Sequence, residues 1–269
     1  MTLSFSFRQV FFIASIFVGG FFAGSAMAAP RAVFLIGEDE YKTAETLPEF
    51  ARAELESRGW EVAVVTEDAK DKNQFPGLIE ELKKADLLVL SVRRRFLPKE
   101  QLEAVRAYLD SGKPLVGIRT ACHPFCPAPN TKVNLPAGSD TWMDFDPTVL
   151  GGHYTGHHKP NGEKVMVKKA EGADASPILA NVDIAKLVGN GSLYKVSEID
   201  KNCTPILIGS IPNQQAEPIA WTHSYGAKKG KVFYTSLGHP DDFKESDFRQ
   251  LLLNGIYWAS NQGKVPDKK

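Results

Sequence analysis

Four short apolar runs limit what this chain can fold into: Arg31-Ala32-Val33-Phe34-Leu35-Ile36-Gly37, Glu61-Val62-Ala63-Val64-Val65, Asp86-Leu87-Leu88-Val89-Leu90-Ser91-Val92 and Leu115-Val116-Gly117-Ile118. Each is apolar at consecutive positions, which is the pattern of a strand buried on both faces. Helical stretches alternate with them. Leu47, Phe50, Ala51 and Leu55 recur at helical spacing between Leu47 and Arg58, with Gly59 as the stop; Pro76 to Ala85 follows; Pro98 to Ser111 places Leu102, Val105 and Leu109 on one face before Gly112. Strands and amphipathic helices in alternation imply a mostly parallel sheet covered on both sides. Right-handed crossovers make it an α/β, flavodoxin-like doubly wound sandwich.

In such a sheet, ligands meet the crevice at the carboxyl ends of the strands. Two segments are presented there: Glu38-Asp39-Glu40-Tyr41 after the first strand, and Arg119-Thr120-Ala121-Cys122-His123 after the fourth. The second is the likelier focus of chemistry on residue type, because it joins a permanent cation to a thiol and an imidazole. The plainer alternative pairs Arg119 with Glu38 or Asp39 as a buried ion pair.

Beyond His123 the texture changes. Pro124, Pro127, Pro129, Pro136 and Pro147 break any regular element until about Val149, and a loop of that length is functional or mobile. Leu150-Gly151-Gly152-His153-Tyr154-Thr155-Gly156-His157-His158 then gathers three of the six histidines, with flanking glycines that favour a loop. Strand-like alternation returns at Lys164–Lys168 and Thr204–Ile208. Pro218–Thr222 and Lys231–Leu237 flank a Gly-containing turn, which predicts an antiparallel C-terminal hairpin. Gly238-His239-Pro240-Asp241 follows that hairpin, and a last amphipathic helix runs from Asp247 to Ser260, packing Phe248, Leu251, Leu252, Ile256 and Trp258. No internal repeat or interdomain linker interrupts the chain.

Residues 1–28 read as a secretory signal peptide: Arg8 precedes an uncharged run ending in Ala26-Met27-Ala28, a small-x-small cleavage pattern. The mature domain is then 29–263 with a disordered polar tail at 264–269, exported to the periplasm or secreted, with no stable membrane insertion after cleavage. Lys+Arg and Asp+Glu are both 32, and loss of Arg8 leaves one more acid than base. The basic residues are scattered apart from Arg93-Arg94-Arg95, so nucleic acid is excluded as a partner. Three cysteines allow at most one internal disulfide, with Cys122 and Cys126 close enough in sequence to pair and Cys203 left alone.

Three motifs in order, Gly117-Ile118-Arg119-Thr120-Ala121-Cys122-His123, Gly151-Gly152-His153-Tyr154-Thr155-Gly156-His157-His158 and Gly238-His239-Pro240-Asp241 before Tyr257-Trp258-Ala259, resemble the ThuA-like (trehalose-utilisation) family of the class I glutamine amidotransferase-like superfamily. The resemblance covers Arg31 to Asn261. It implies the flavodoxin-like sandwich and a link to carbohydrate metabolism, without a settled reaction. Amidotransferases of this superfamily carry a nucleophilic cysteine at the strand-end elbow, served by a late His-Pro-Glu. Here the elbow holds Arg119, and His239-Pro240-Asp241 keeps the imidazole with a shorter acid. A guanidinium cannot attack an acyl carbon, so this chain is not a glutaminase unless Cys122 and His239 form a displaced nucleophile pair.

The expected function is an exported protein acting on a sugar or keto-sugar by acid/base chemistry. Arg119 would anchor an oxyanion, His239 would carry protons and Asp241 would orient it, while Glu38, Tyr41, His123, His153, Tyr154, His157 and Trp221 would bind a small carbohydrate ligand. In the plainer reading His239 only caps the turn after its strand. Two other classes stay open: a non-catalytic carbohydrate-binding accessory protein, and a metal-dependent hydrolase using the His153–His158 loop. The sequence names no cofactor, leaves the metal unknown and leaves a homo-oligomer open.

Overall fold

A computed structural model describes residue 1 and residues 28–158, 163–196 and 198–262. The signal-peptide reading and the tail reading fall on segments outside the described residues. Eleven strands and four α-helices follow in chain order: β1 (Arg31–Gly37), α1 (Thr43–Glu54), β2 (Glu61–Thr66), α2 (Leu78–Lys84), β3 (Leu87–Val92), α3 (Lys99–Asp110), β4 (Leu115–Ile118), β5 (Tyr154–His157), β6 (Val165–Lys169), β7 (Val188–Gly189), β8 (Tyr194–Val196), β9 (Thr204–Ser210), β10 (Glu217–Tyr225), β11 (Gly230–Thr235) and α4 (Ser246–Ser260). Nine strands form one sheet in the order β2-β1-β3-β4-β11-β10-β9-β6-β7. From β2 to β11 neighbours run parallel; from β11 outward they alternate.

The continuous apolar runs of β1, β3 and β4 are explained by what lies on each face, whereas β2, at the sheet edge, buries only Val65 and leaves Val64 exposed, which corrects the reading of its run as buried on both faces. Ala32, Phe34 and Ile36 point to one core with Phe50 of α1 and Phe248, Leu251 and Ile256 of α4. Val33 and Leu35 point to the other, with Leu78 and Leu82 of α2 and Leu102, Val105 and Leu109 of α3. With period-two geometry and both faces covered, every position must be apolar.

The C-terminal hairpin is antiparallel, as its pattern predicts, but it lies inside the sheet. β11 pairs in parallel with β4, placing Thr235 beside Ile118, and β10 passes the sheet on to β9, β6 and β7. The segment after β11 therefore emerges next to the segment after β4. The histidine-rich stretch is in part a strand, since β5 pairs with β8 in a separate two-stranded sheet, His157 opposite Tyr194. Trp221 on β10 is 1% exposed, donates its indole N–H to the Leu150 carbonyl at 2.7 Å and packs on Tyr234. It is core, which corrects the expectation that it offers a face to a sugar.

Close helix-to-sheet contact depends on Gly255 of α4, where an added Cβ would collide with the Phe233 ring. Alanine in place of glycine gains up to about 1 kcal/mol of helix propensity, while overpacking a tight core costs about 1–3 kcal/mol. Gly255→Ala is expected to lower stability by about 1–2 kcal/mol in denaturant unfolding; a variant as stable as the parent would contradict this packing.

Candidate functional site

At the carboxyl end of β4 the backbone turns sharply, with Arg119 at φ 46°, the left-handed region that a side-chain-bearing residue rarely occupies. The turn aims the side chain inward. The guanidinium is 2% exposed and lies between two aromatic faces, 4.3 Å from the Tyr41 ring centre and 4.4 Å from that of Tyr194. Nη1 donates to the Ser236 carbonyl; Nη2 donates to the Tyr41 hydroxyl and to the Ser192 carbonyl and hydroxyl, each at 3.2 Å. The Arg119 carbonyl in turn accepts from the Tyr234 hydroxyl at 2.7 Å. Arg119 is therefore enclosed where an oxyanion anchor was expected, and a methyl at Gly191 would run into it.

The ion-pair alternative fails for the same corner. Glu38 accepts hydrogen bonds from the amides of Glu40, Tyr41 and Thr43 and from the Thr43 hydroxyl, which caps the start of α1 and leaves it 6% exposed. Its oxygens are spent on the backbone, not on a substrate. Asp39 pairs with Lys72 and Arg95. Tyr41 is buried, its hydroxyl donating to Glu40 Oε1 at 3.0 Å and its ring meeting the His239 ring edge-on at 6.3 Å. His239 and Arg119 thus flank one phenol.

In the turn after β11, Asp242 holds the structure together. Its buried carboxylate accepts from the amides of Gly238, His239 and Asn190 at 2.8–2.9 Å. Nδ1 of His239 accepts from the Asp241 amide at 3.2 Å, so the Asp241 carboxylate, 3.6 Å away and paired with Lys244, does not hold a proton on that nitrogen.

A cleft of about 510 Å³ opens beside this corner. Cys122 and His123 from the β4 turn, Arg94 from the end of β3, the Cys126–Thr131 loop, and Asp146, His153 and Tyr154 line it; Arg119 and His239 do not. The Tyr154 ring lies tilted over His123 at 4.5 Å and meets Tyr194 edge-on at 4.7 Å, so an unbroken row of rings joins the cleft to the Arg119 corner. His123 is 5% exposed, and burial, reinforced by Arg94, Arg93 and Arg119, holds its imidazole well below its ordinary titration range. Burial pushes the Cys122 thiol far up; it contacts the Arg119 carbonyl and, at 3.1 Å, Nδ1 of His123. It neighbours His123 rather than His239 and stays a thiol, so the displaced nucleophile pair does not form. All three cysteines are free.

Asp146 stands on a short π-helical turn over Asp146–Leu150, 4% exposed, and its Oδ2 accepts from the Tyr154 amide at 2.8 Å and meets Nδ1 of His153 at 2.9 Å. Burial raises its pKa, against the opposing pull of those two partners. The His153 side chain is half exposed. Both side chains of this carboxylate–imidazole pair line the cleft. Sequence reading missed Asp146 because it sits in the proline-rich stretch; its only signal was an acid seven residues before a histidine.

The three histidines of the 153–158 segment diverge. His153 faces Asp146, His157 lies 3.3 Å from the Tyr154 hydroxyl, and His158 is buried between Glu217 at 2.7 Å and Gln214 at 3.0 Å. Successive residues of an extended chain leave on opposite faces, which separates His157 from His158. Among the described residues no group of three or more His, Cys, Asp or Glu side chains could hold a metal ion, so the metal loop is corrected to a strand. Asp241 and His158 border a separate hollow of about 240 Å³.

A family model described as ThuA, trehalose utilisation, matches residues 32–259. A ThuA-like protein from Bacteroides uniformis superposes with a TM-score of 0.63 at 19% identity, covering 89% of this chain and 95% of that one. One from Parabacteroides merdae gives 0.62 at 15%, covering 90% and 93%. A β-galactosidase from Bacillus circulans sp. alkalophilus gives 0.53 at 11%, with 89% of this chain matched to 33% of that one. At such identities the likeness is one of fold. Among curated proteins none matches the chain. With the family model spanning nearly the whole described sheet, and the ThuA-like structures sharing its architecture, this chain belongs to the ThuA (trehalose utilisation) family.

Proposed function

We propose that the protein is an exported enzyme of carbohydrate metabolism that processes a sugar or keto-sugar derivative by acid/base chemistry, with His153 as proton carrier and Asp146 as the residue that positions it. The reading is carried by the 2.9 Å contact of buried Asp146 with Nδ1 of His153, both lining the 510 Å³ cleft. A carboxylate fixed on Nδ1 sets the ring's tautomer and orientation, so proton transfer falls to Nε2. Family membership supports a sugar as substrate. The half-buried Tyr154 ring and the Met143 side chain give such a ligand apolar surface beside hydrogen-bonding groups.

Glutamine hydrolysis has no nucleophile here: the elbow side chain is the enclosed Arg119, and the nearby thiol is held protonated. Arg119 and His239 belong to the corner that supports the cleft. His123 contributes a neutral imidazole to the wall, which suits hydrogen bonding to hydroxyls and not a second charged acid.

Two outcomes follow. Assayed on glycosides and 3-keto-glycosides, His153→Ala is expected to lower kcat/KM by about 10²-fold or more, with His239→Ala within about threefold of the parent. Loss of turnover in His239→Ala with His153→Ala intact would reverse the assignment. The second outcome concerns pH. His123 has a depressed folded-state pKa, while the unfolded chain takes up its proton near about 6.5. Stability must therefore fall as pH drops through that value. Thermal unfolding from pH 7 to 5 should show a declining Tm, and His123→Phe should flatten the decline; an unchanged slope would show that His123 is not held neutral.

A further inference from the structure

Three consecutive arginines leave the end of β3, and the structure treats the middle one differently. Arg93 meets Glu40 at 3.0 Å. Arg95 meets Glu67 at 2.7 Å and Asp39 at 2.9 Å. Arg94 has no carboxylate partner among the described residues. Its Nη1 donates to the carbonyls of Cys126 and Pro127, which orient the guanidinium without neutralising it.

The backbone sets this apart. Arg94 adopts φ 52°, held by its amide on the His123 carbonyl at 3.0 Å and by the Arg95 amide on the Pro124 carbonyl at 2.8 Å. The side chain consequently leaves its neighbours and lines the 510 Å³ cleft with His123, Asp146, His153 and Tyr154. Nε and Nη2 form the outer edge of the guanidinium; among the described residues they meet no protein acceptor and neither is a buried orphan. A pre-aimed cation with a vacant two-donor edge matches the two oxygens of a carboxylate. Its field reaches the neighbouring His123, where it adds to burial in keeping the imidazole neutral.

We propose that the cleft takes a sugar acid, a saccharide bearing a carboxylate, and that Arg94 is the specificity-determining residue that receives the carboxylate across its Nε/Nη2 edge. This deepens the reading of the cleft as the reaction site and rests on it. A carboxylate is favoured over a phosphate because one uncompensated guanidinium balances a single negative charge, and buried Asp146 on the same cleft opposes a dianion.

Calorimetry with matched pairs tests this: methyl glucoside against methyl glucuronide, and the galacto and manno equivalents, with glucose 6-phosphate as the alternative anion. At least one charged member is expected to bind the parent about tenfold or more tightly than its neutral twin. Arg94→Gln should abolish that preference and Arg94→Lys should keep part of it. The preference should survive in His153→Ala even as turnover disappears, so failure of catalysis and failure of anion recognition are read separately. No charged member binding more tightly than its twin, a preference unchanged in Arg94→Gln, or tighter binding of the phosphate than of every uronide would overturn the proposal.

Discussion

The burial of one guanidinium organises the functional end of this molecule. Arg119 cannot lose its charge, and a buried cation without a carboxylate in contact is costly unless acceptors and dipoles compensate it. Here two ring faces, the Ser236 and Ser192 carbonyls and two hydroxyls supply the compensation, with the Asp242 carboxylate further off in the neighbouring turn. These groups come from the segments after β1 and β11 and from the chain entering β8, while Arg119 itself follows β4. A single side chain thereby fixes four chain segments against one another at the carboxyl ends of the parallel strands.

That arrangement changes what the corner can do. In the amidotransferase-like plan the strand-end elbow presents a nucleophile to solvent, whereas here it points a cation into the protein. The row Tyr194, Tyr154 and His123 runs sideways from that corner to the cleft beside the Asp146 turn. The corner and the cleft share Tyr194, whose ring face lies on Arg119 and which meets the Tyr154 ring edge-on. Rigidity at the first is the support for geometry at the second.

The parallel half of the fold was legible because β1, β3 and β4 are buried on both faces, and a doubly buried strand writes itself as consecutive apolar residues. The end of α3 followed from Gly112, at positive φ; α1 stops at Glu54, before the expected Arg58, and Gly59 closes a separate 3-10 turn over Glu56–Arg58; α1 also begins at Thr43 rather than near Leu47, because the Glu38 carboxylate caps it from outside the helical pattern. The insertion of β11 beside β4 was not legible, since pairing between segments more than a hundred residues apart leaves no local mark. Nor was the fate of Arg119. Whether a strand-end arginine faces solvent or is roofed over depends on Tyr41 and Tyr194, which periodicity cannot place. His123, His153 and Tyr154 were legible as site candidates from residue type; Asp146 and Arg94 needed the fold, one hidden among prolines and the other in a run of like charges.

The account separates a structural corner at Arg119 from a reactive cleft at His153, and the six histidines of the chain report on both. Histidine-labelled protein titrated with the tightest-binding saccharide gives one imidazole signal for each residue. Movement of the His123 and His153 signals while His239 stays still is the predicted result. Movement of His239 with His123 and His153 unchanged would place the ligand at the other end of the Tyr41 ring and contradict it.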